Sequence, residues 1–288
     1  MSDIQALNND HFNKTAKDYD AYPQAEEMTQ RAAEVIIREF TASTSEEHVK
    51  NASVLEFGCG TGLCAFKVAP SVQRLLGVDA SQGMIDHLNY KLNTNAANVS
   101  IRDKIKTVQH LVKLDSPLPE PELSQYLSGP DAGFNMVYSS YVLHHIEDLQ
   151  GTVDVLAKKL LKKDGWLIIL DFMGSHHHHG QHDKAEDYAH QHGEHHHHHH
   201  HQQQHQHGEH NKGEKKMEEH VHEFFLGADG KASEMVPHKA GFTLEGFAEI
   251  FKKAGLVDVE AKHVFGMNHT RNEKQVWIDM LVVIGRRA

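Results

Sequence analysis

The sequence predicts an α/β protein built on a doubly wound sheet with helices on both faces. Three observations carry that expectation. Short apolar runs alternate with segments of helical period, and a glycine-rich turn joins the first run to the first helix. The final two runs are separated by a polar loop too short for a crossover helix, so that pair must be antiparallel. The seven strands run from Ala52 to Phe57, Leu75 to Asp79, Ile105 to Val112, Phe134 to Ser139, Trp166 to Phe172, Leu256 to Val264 and Val276 to Ile284. A helix follows Gly62 through about Val68. Ser81 is an N-cap for the next, whose Met84, Ile85, Leu88 and Leu92 share one face. Asp148 to Leu161 repeats the pattern, and Lys162-Lys163-Asp164-Gly165 is expected to stop it with basic residues and a glycine. Glu218 to Leu226 starts a further helix. Thr243 then caps one bearing Leu244, Phe247, Ile250 and Phe251, closed by Ala254-Gly255.

Of the 288 residues, 29 are Lys or Arg and 40 are Asp or Glu, a formal charge of −11. Nucleic-acid binding draws on clustered positive charge, so a phosphate-tracking surface is a poor fit. The 28 histidines could carry the charge from −11 to +17 on full protonation. Of these, 19 lie between His176 and His222, in a stretch with runs at His176 to His179 and His195 to His201 and scarcely an apolar side chain. Such composition cannot bury enough surface to offset ordering entropy, so 174–223 reads as a disordered insertion after the fifth strand. It binds zinc, nickel or copper incidentally, with no spacing that defines a closed metal site. Because it leaves the sheet at a carboxyl edge, where ligands bind, it is placed to gate the site. The rest divides into a helical arm or lid over 1–50, a ligand-binding core over 51–173 and the remainder of that core over 224–288. Two cysteines make no disulfide framework, and the opening Met1-Ser2-Asp3-Ile4-Gln5 lacks the pattern of a secretory signal. The expectation is a soluble protein of the cytoplasm, with the nucleus as the alternative. It has no membrane span and no nucleic-acid partner.

The chemistry is densest in Glu56-Phe57-Gly58-Cys59-Gly60-Thr61-Gly62, where a buried strand runs into three alternate glycines and then a helix. Backbone can approach a small ligand there. The spacing G-x-G-x-G differs from the G-x-G-x-x-G of nicotinamide dinucleotide sites. Asp79, ending the second strand in Val78-Asp79-Ala80-Ser81, can accept both hydroxyls of a ribose. With these motifs, the fourth strand Phe134 to Ser140, the Leu143-His144-His145-Ile146 that follows it and the closing antiparallel strand, the sequence resembles the class I S-adenosylmethionine-dependent methyltransferases. It is most similar to the small-molecule enzymes of the ubiquinone and menaquinone biosynthesis type. The arm, His11-Phe12-Asn13-Lys14 through Tyr19-Asp20-Ala21-Tyr22, looks like the lid of that subgroup.

The resemblance implies a Rossmann-like sheet of seven strands with the last antiparallel, and S-adenosyl-L-methionine as cofactor. It places Gly58, Gly60 and Gly62 near the methionine part, Asp79 on the ribose and Met84 near adenine. Glu56, Cys59, Ala80 and Ser139 complete that side of the site. His110 and Leu111 stand where the family usually has an acidic residue for the adenine amino group, with Asp115 a few positions on. Tyr19 and Tyr22 either close over the cofactor or anchor the arm. Cys59 and Cys64 read as tightly fitted small side chains. Methyl transfer needs alignment above all, and a general base only where the acceptor must lose a proton. His144 and His145 are the candidate bases, or else strand-end packing residues. Asp171 faces the same rim, as a substrate contact or a carboxylate satisfied by backbone amides. The expected acceptor is a small organic molecule, methylated on O, N or C, in a pocket formed by the arm, the segment after Leu226 and the rim near Gly266 to His269. The alternatives are a protein or RNA methyltransferase, disfavoured by Ser139-Ser140-Tyr141-Val142 at the fourth strand's end and by the acidic balance, and a non-catalytic metal-binding or cofactor-sensing protein.

Overall fold

The computed structural model describes residues 3–22, 24–129, 132–174, 225, 233–271 and 274–288. Its strands are β1 (Ser53–Phe57), β2 (Arg74–Asp79), β3 (Ile105–Gln109), β4 (Phe134–Ser140), β5 (Leu161–Met173), β6 (Leu256–Arg271) and β7 (Lys274–Arg287). They form one sheet in the order β3-β2-β1-β4-β5-β7-β6. β1 to β5 pair in parallel, and β7 runs antiparallel to both β5 and β6. The central parallel strands are buried on both faces, which is why they read as continuous apolar runs. Every residue of β4 is buried.

Alternation along each strand divides the core between the two faces. Val54, Met136, Ile168 and Met280 pack with Ala32, Ile36 and Phe40 of the long arm helix. Leu55, Val137, Ile169 and Leu281 face Val153 and Phe247 on the other side. The arm therefore is part of the core: its helices α1 (Asp3–Thr15), α2 (Ala25–Ser43) and α3 (Glu46–Lys50) belong to the same compact unit as the sheet. Strand order reverses between β1 and β4, and at that switch point the carboxyl ends of the strands leave a crevice.

Several boundaries differ from those the sequence suggests. The helix after Asp148 is α-helical only over Leu149–Val155 and ends in a π turn, Leu156–Leu160. Leu161 already belongs to β5, opposite Phe134, and the register then shifts so that Met136 faces Trp166. Lys162 to Gly165 is therefore the irregular start of a strand and not a helix stop. The left-handed residue is Asp164, at φ 61°, instead of Gly165. The cause is pairing: Leu161 joins the sheet opposite Phe134, directly after Leu160, and both leucines are fully inside. β3 ends at Gln109; the His110 amide still donates to the Asp79 carbonyl at 2.8 Å, and its Nε2 lies 2.7 Å from the carbonyl of Ser116. The helix expected directly after Gly62 begins as a turn and is α-helical over α4 (Ala65–Val68). Ser81 does cap α5 (Gln82–Thr94), accepting from the Met84 amide at 3.2 Å, and Thr243 caps Leu244–Lys253 through the Gly246 amide. The helix expected from Glu218 and the histidine-rich stretch, with its metal-binding and gating expectations, lie outside the described residues.

Candidate functional site

The glycine turn is held against the sheet by its own amides. Gly58 and Cys59 both donate to the carbonyl of Val78, at 2.8 and 3.1 Å, so the chain crosses from β1 over the end of β2. Gly58 does so at φ +71°, and a Cβ there would sit 2.5 Å from Val142 Cγ2. Asp79 completes the turn from the other side: its Oδ2 accepts from the Gly60 amide at 2.9 Å and its Oδ1 from the Ser81 amide at 2.8 Å. Burial raises the Asp79 pKa, and those amides pull it back. Each oxygen keeps a lone pair for a ligand hydroxyl.

Glu56 lies deeper, 1 % exposed, and accepts from the Tyr138 hydroxyl at 3.0 Å. Burial pushes its pKa up to about 8, with the charge of Asp79 adding and Tyr138 opposing. The crevice these groups share is roofed by the arm, through Gln5, Asn8, Asn9, Phe12 and Tyr19. Asn8 donates to the carbonyls of Met235, at 3.2 Å, and His145, at 3.4 Å. Its buried Oδ1 has no hydrogen-bond partner among the described residues and so awaits a donor.

Of the residues expected to face a cofactor, Tyr19, Glu56, Gly58, Cys59, Gly60, Asp79, Ala80, Met84, His110 and Leu111 line this one crevice. Gly62 and Ser139 do not: Gly62 packs against Leu88 and Phe66, and the Ser139 hydroxyl donates to the Phe57 carbonyl at 2.7 Å. Burial raises Cys59 and Cys64 well above the usual thiol pKa, so neither is a ready nucleophile.

Beside Asn8, two further contacts tie the arm down next to the glycine turn and α5. The Asn13 Oδ1 accepts from the Ser81 hydroxyl at 2.8 Å and the Gly83 amide at 2.9 Å, seating α1 on the start of α5. Asp20, next to Tyr19, accepts from Thr61 of the glycine turn at 2.5 Å and pairs with Lys91. Burial lowers the Lys91 pKa while Asp20 supports its charge. Replacing Asp20 by Asn should accelerate dissociation of a ligand from the crevice by about tenfold, about 1.4 kcal/mol. Stopped-flow displacement checks this, and an unchanged rate would make the latch ornamental.

A second cavity adjoins the first. Phe12, Tyr19, Thr29, Leu63, Tyr141 and His145 line both. Beyond them stand His11, Tyr22, Met28, His144, Phe172, Phe225, Ser233, Met235, Val236 and His269. This is where the sequence placed an acceptor pocket, between the arm, the segment after Leu226 and the rim ending at His269. Tyr141 reaches it from φ 59°, an uncommon conformation for an aromatic residue, and its hydroxyl donates to the Met28 carbonyl at 3.2 Å.

The three candidate catalytic residues meet here. His144 Nδ1 lies 2.8 Å from Asp171 Oδ1, and Asp171 also accepts from the His144 and Phe172 amides. Asp171 lines neither cavity, and its contact with the second one is by way of His144. His145 Nδ1 lies 3.0 Å from the Met235 carbonyl. Burial holds His145 well below the usual imidazole pKa, and neighbouring His144 pushes the same way. Sequence reasoning missed Asn8, Met28 and Met235, for which only long-range packing gives a signal. Among the described residues no cluster of three or more His, Cys, Asp or Glu could hold a metal ion, and no helix is long and apolar enough to cross a membrane.

Comparison with known proteins bears on this geometry. The family model described as a methyltransferase domain matches residues 25–224. An uncharacterized methyltransferase of Schizosaccharomyces pombe is 34% identical over 121 residues, 42% of this chain and 39% of that protein. The ubiquinone biosynthesis O-methyltransferase of Pelagibacter ubique is 24% identical over 136 residues, 47% of this chain and 48% of that protein. The chain thus spans less than half the length of these curated relatives. Among solved structures, magnesium protoporphyrin IX methyltransferase from Synechocystis with bound S-adenosylhomocysteine superposes with a TM-score of 0.52 at 13% identity. That match covers 99% of this chain and 100% of the other, and it shows a shared fold.

Proposed function

Because the chain belongs to the methyltransferase-domain family, we propose that it binds S-adenosylmethionine in the first cavity and methylates a small organic acceptor seated in the second. The single observation that carries this reading is the shared wall: His145, Tyr141, Phe12 and Tyr19 border both spaces, so two ligands would meet there and nowhere else in the crevice.

The residues of the first cavity fit the cofactor. Asp79 offers lone pairs to a ribose diol, while Met84 and Leu111 offer apolar surface to a purine. Glu56, with the Asn8 Oδ1 that has no partner among the described residues, provides acceptors for an ammonium group in the same cavity. The bound cofactor supplies an already activated methyl group, so what remains for the protein is alignment and exclusion of water. The arm does both when Asn13 and Asp20 hold it closed. A small acceptor suits the second cavity because the arm and residues 233–236 cover it, leaving little room for a folded macromolecule. The relative named as a ubiquinone biosynthesis O-methyltransferase agrees with that size class.

The test is calorimetry with S-adenosylhomocysteine, followed by incubation with methyl-labelled S-adenosylmethionine and either a metabolite extract or a macromolecular fraction. Binding with label in small molecules is the expected result. Label confined to macromolecules would overturn the acceptor class, and absence of binding would overturn the cofactor assignment.

A further inference from the structure

Asn8 stands in the wall of the first cavity but holds the wall of the second. Along α1, Gln5, Asn8 and Phe12 recur at three- and four-residue spacing and meet the crevice from one helix face. On that face Phe12 sets its ring edge-on to the His145 imidazole, with centroids 5.3 Å apart, and the Asn8 amide donates to the His145 carbonyl at 3.4 Å. The same amide donates at 3.2 Å to the carbonyl of Met235, a residue of the second cavity. His145 Nδ1 meets that carbonyl as well, at 3.0 Å. The seam continues where the His238 amide donates to the His144 carbonyl at 3.3 Å, so the segment 233–238 lies along the turn after β4 with Asn8 joining it to the arm.

Those two carbonyls fix which way the carboxamide points. A carbonyl only accepts, so both neighbours require the N–H end of Asn8, and Oδ1 is the atom left over, buried and without a partner among the described residues. Seating α1 therefore strands an acceptor that water satisfies when the arm is lifted, which is a cost to the closed arrangement. A ligand that brings an N–H to this oxygen removes the cost. A carboxylate does not, because it only accepts. At the amino acid end of the cofactor the donor is the ammonium group.

Resting on the cofactor reading above, we infer that Asn8 is a positioning residue that couples the two ligands: its Oδ1 accepts from the cofactor's ammonium group, and its N–H end holds Met235 and His145 in place around the acceptor. Glu56, in the same cavity, takes another N–H of that ammonium. The adenosine part, held at Asp79, occupies the first cavity without engaging this amide. The amino acid end of the cofactor thus completes the wall of the second cavity, and the acceptor meets a finished site only after the cofactor has bound.

The test is calorimetry and amide hydrogen exchange on the full chain with S-adenosylhomocysteine, its analogue lacking the amino group, and methylthioadenosine, which lacks the amino acid end altogether. In the wild type S-adenosylhomocysteine should slow exchange both in α1 and over 233–238, and the other two probes should leave 233–238 unchanged. Asn8→Ala should weaken S-adenosylhomocysteine about tenfold and leave methylthioadenosine binding as it was. Asn8→Asp keeps an oxygen for the ammonium but loses both N–H groups, so S-adenosylhomocysteine should still bind and no longer protect 233–238. A residue that merely packed the arm would shift all three probes alike. Protection of 233–238 by methylthioadenosine, an equal loss of every probe in Asn8→Ala, or protection that survives Asn8→Asp would each overturn the inference and leave the cofactor reading intact. A wild-type protein that binds no S-adenosylhomocysteine would overturn both.

Discussion

Replacing Glu56 by Gln should weaken binding of S-adenosylhomocysteine by about 30-fold at alkaline pH, as expected for losing one charged hydrogen bond of about 2 kcal/mol. The same change should make the empty protein harder to unfold. The opposite signs follow from one side chain. Glu56 is buried, and its pKa is raised from the ordinary 4.5 to about 8. Between those values the folded chain keeps a proton that the unfolded chain has lost, so stability declines as pH rises from 4.5 to about 8. Gln removes that penalty, which amounts to up to about 5 kcal/mol above the folded pKa. A ligand ammonium favours the ionised carboxylate, so binding below about pH 8 must release the proton. Wild-type affinity should therefore rise about tenfold per pH unit up to that point and then level off, whereas the variant stays flat. Calorimetry in two buffers of different ionisation heat reads the released proton directly. A wild-type dissociation constant that ignores pH would remove Glu56 from the ligand's reach.

Gly83→Ala sets two effects against each other. Position 83 lies in the first turn of α5, where alanine is worth up to about 1 kcal/mol over glycine in helix propensity. Yet a Cβ there would stand 2.7 Å from the Asn13 carbonyl oxygen and 2.9 Å from Asn13 Cα. Those atoms are backbone and cannot rotate aside, so α1 must lift and the Asn13 bonds to Ser81 and Gly83 are strained or lost. Overpacking of this kind costs about 1–3 kcal/mol, more than the propensity gain. The expected result is weaker binding of S-adenosylhomocysteine, by about tenfold or more, with faster proteolysis of the arm and a sheet that stays folded. Equal affinity together with a higher melting temperature would mean that propensity won and the arm does not matter for binding.

The glycine turn, Asp79 and the strand pattern were legible because each depends on residues close in sequence. Val54 and Leu55 alternate faces, Ser81 caps its own helix, and Asp79 meets Gly60 across a single βα unit. What could not be read depends on distance. Nothing local says that Gly83 must lack a side chain; the reason sits 70 residues earlier at Asn13. The start of β5 was misplaced because Lys162-Lys163-Asp164-Gly165 carries the composition of a helix end, while the pairing of Leu161 with Phe134 decides the outcome. His144 and Asp171 were both nameable as candidates. Their 2.8 Å contact and the ring-lined space beside them depend on β4, β5 and the segment from Ser233 to Val236 coming together.

The placement of β7 between β5 and β6 has a bearing on how the chain must assemble. A nascent polypeptide that has produced β5 presents Leu167 to Leu170, entirely apolar, on a strand whose outer edge has no mate until residues 279–286 arrive. Such an edge is a template for pairing with other chains. Shortened versions lacking β7 should therefore be lost to aggregation rather than persist as smaller soluble proteins.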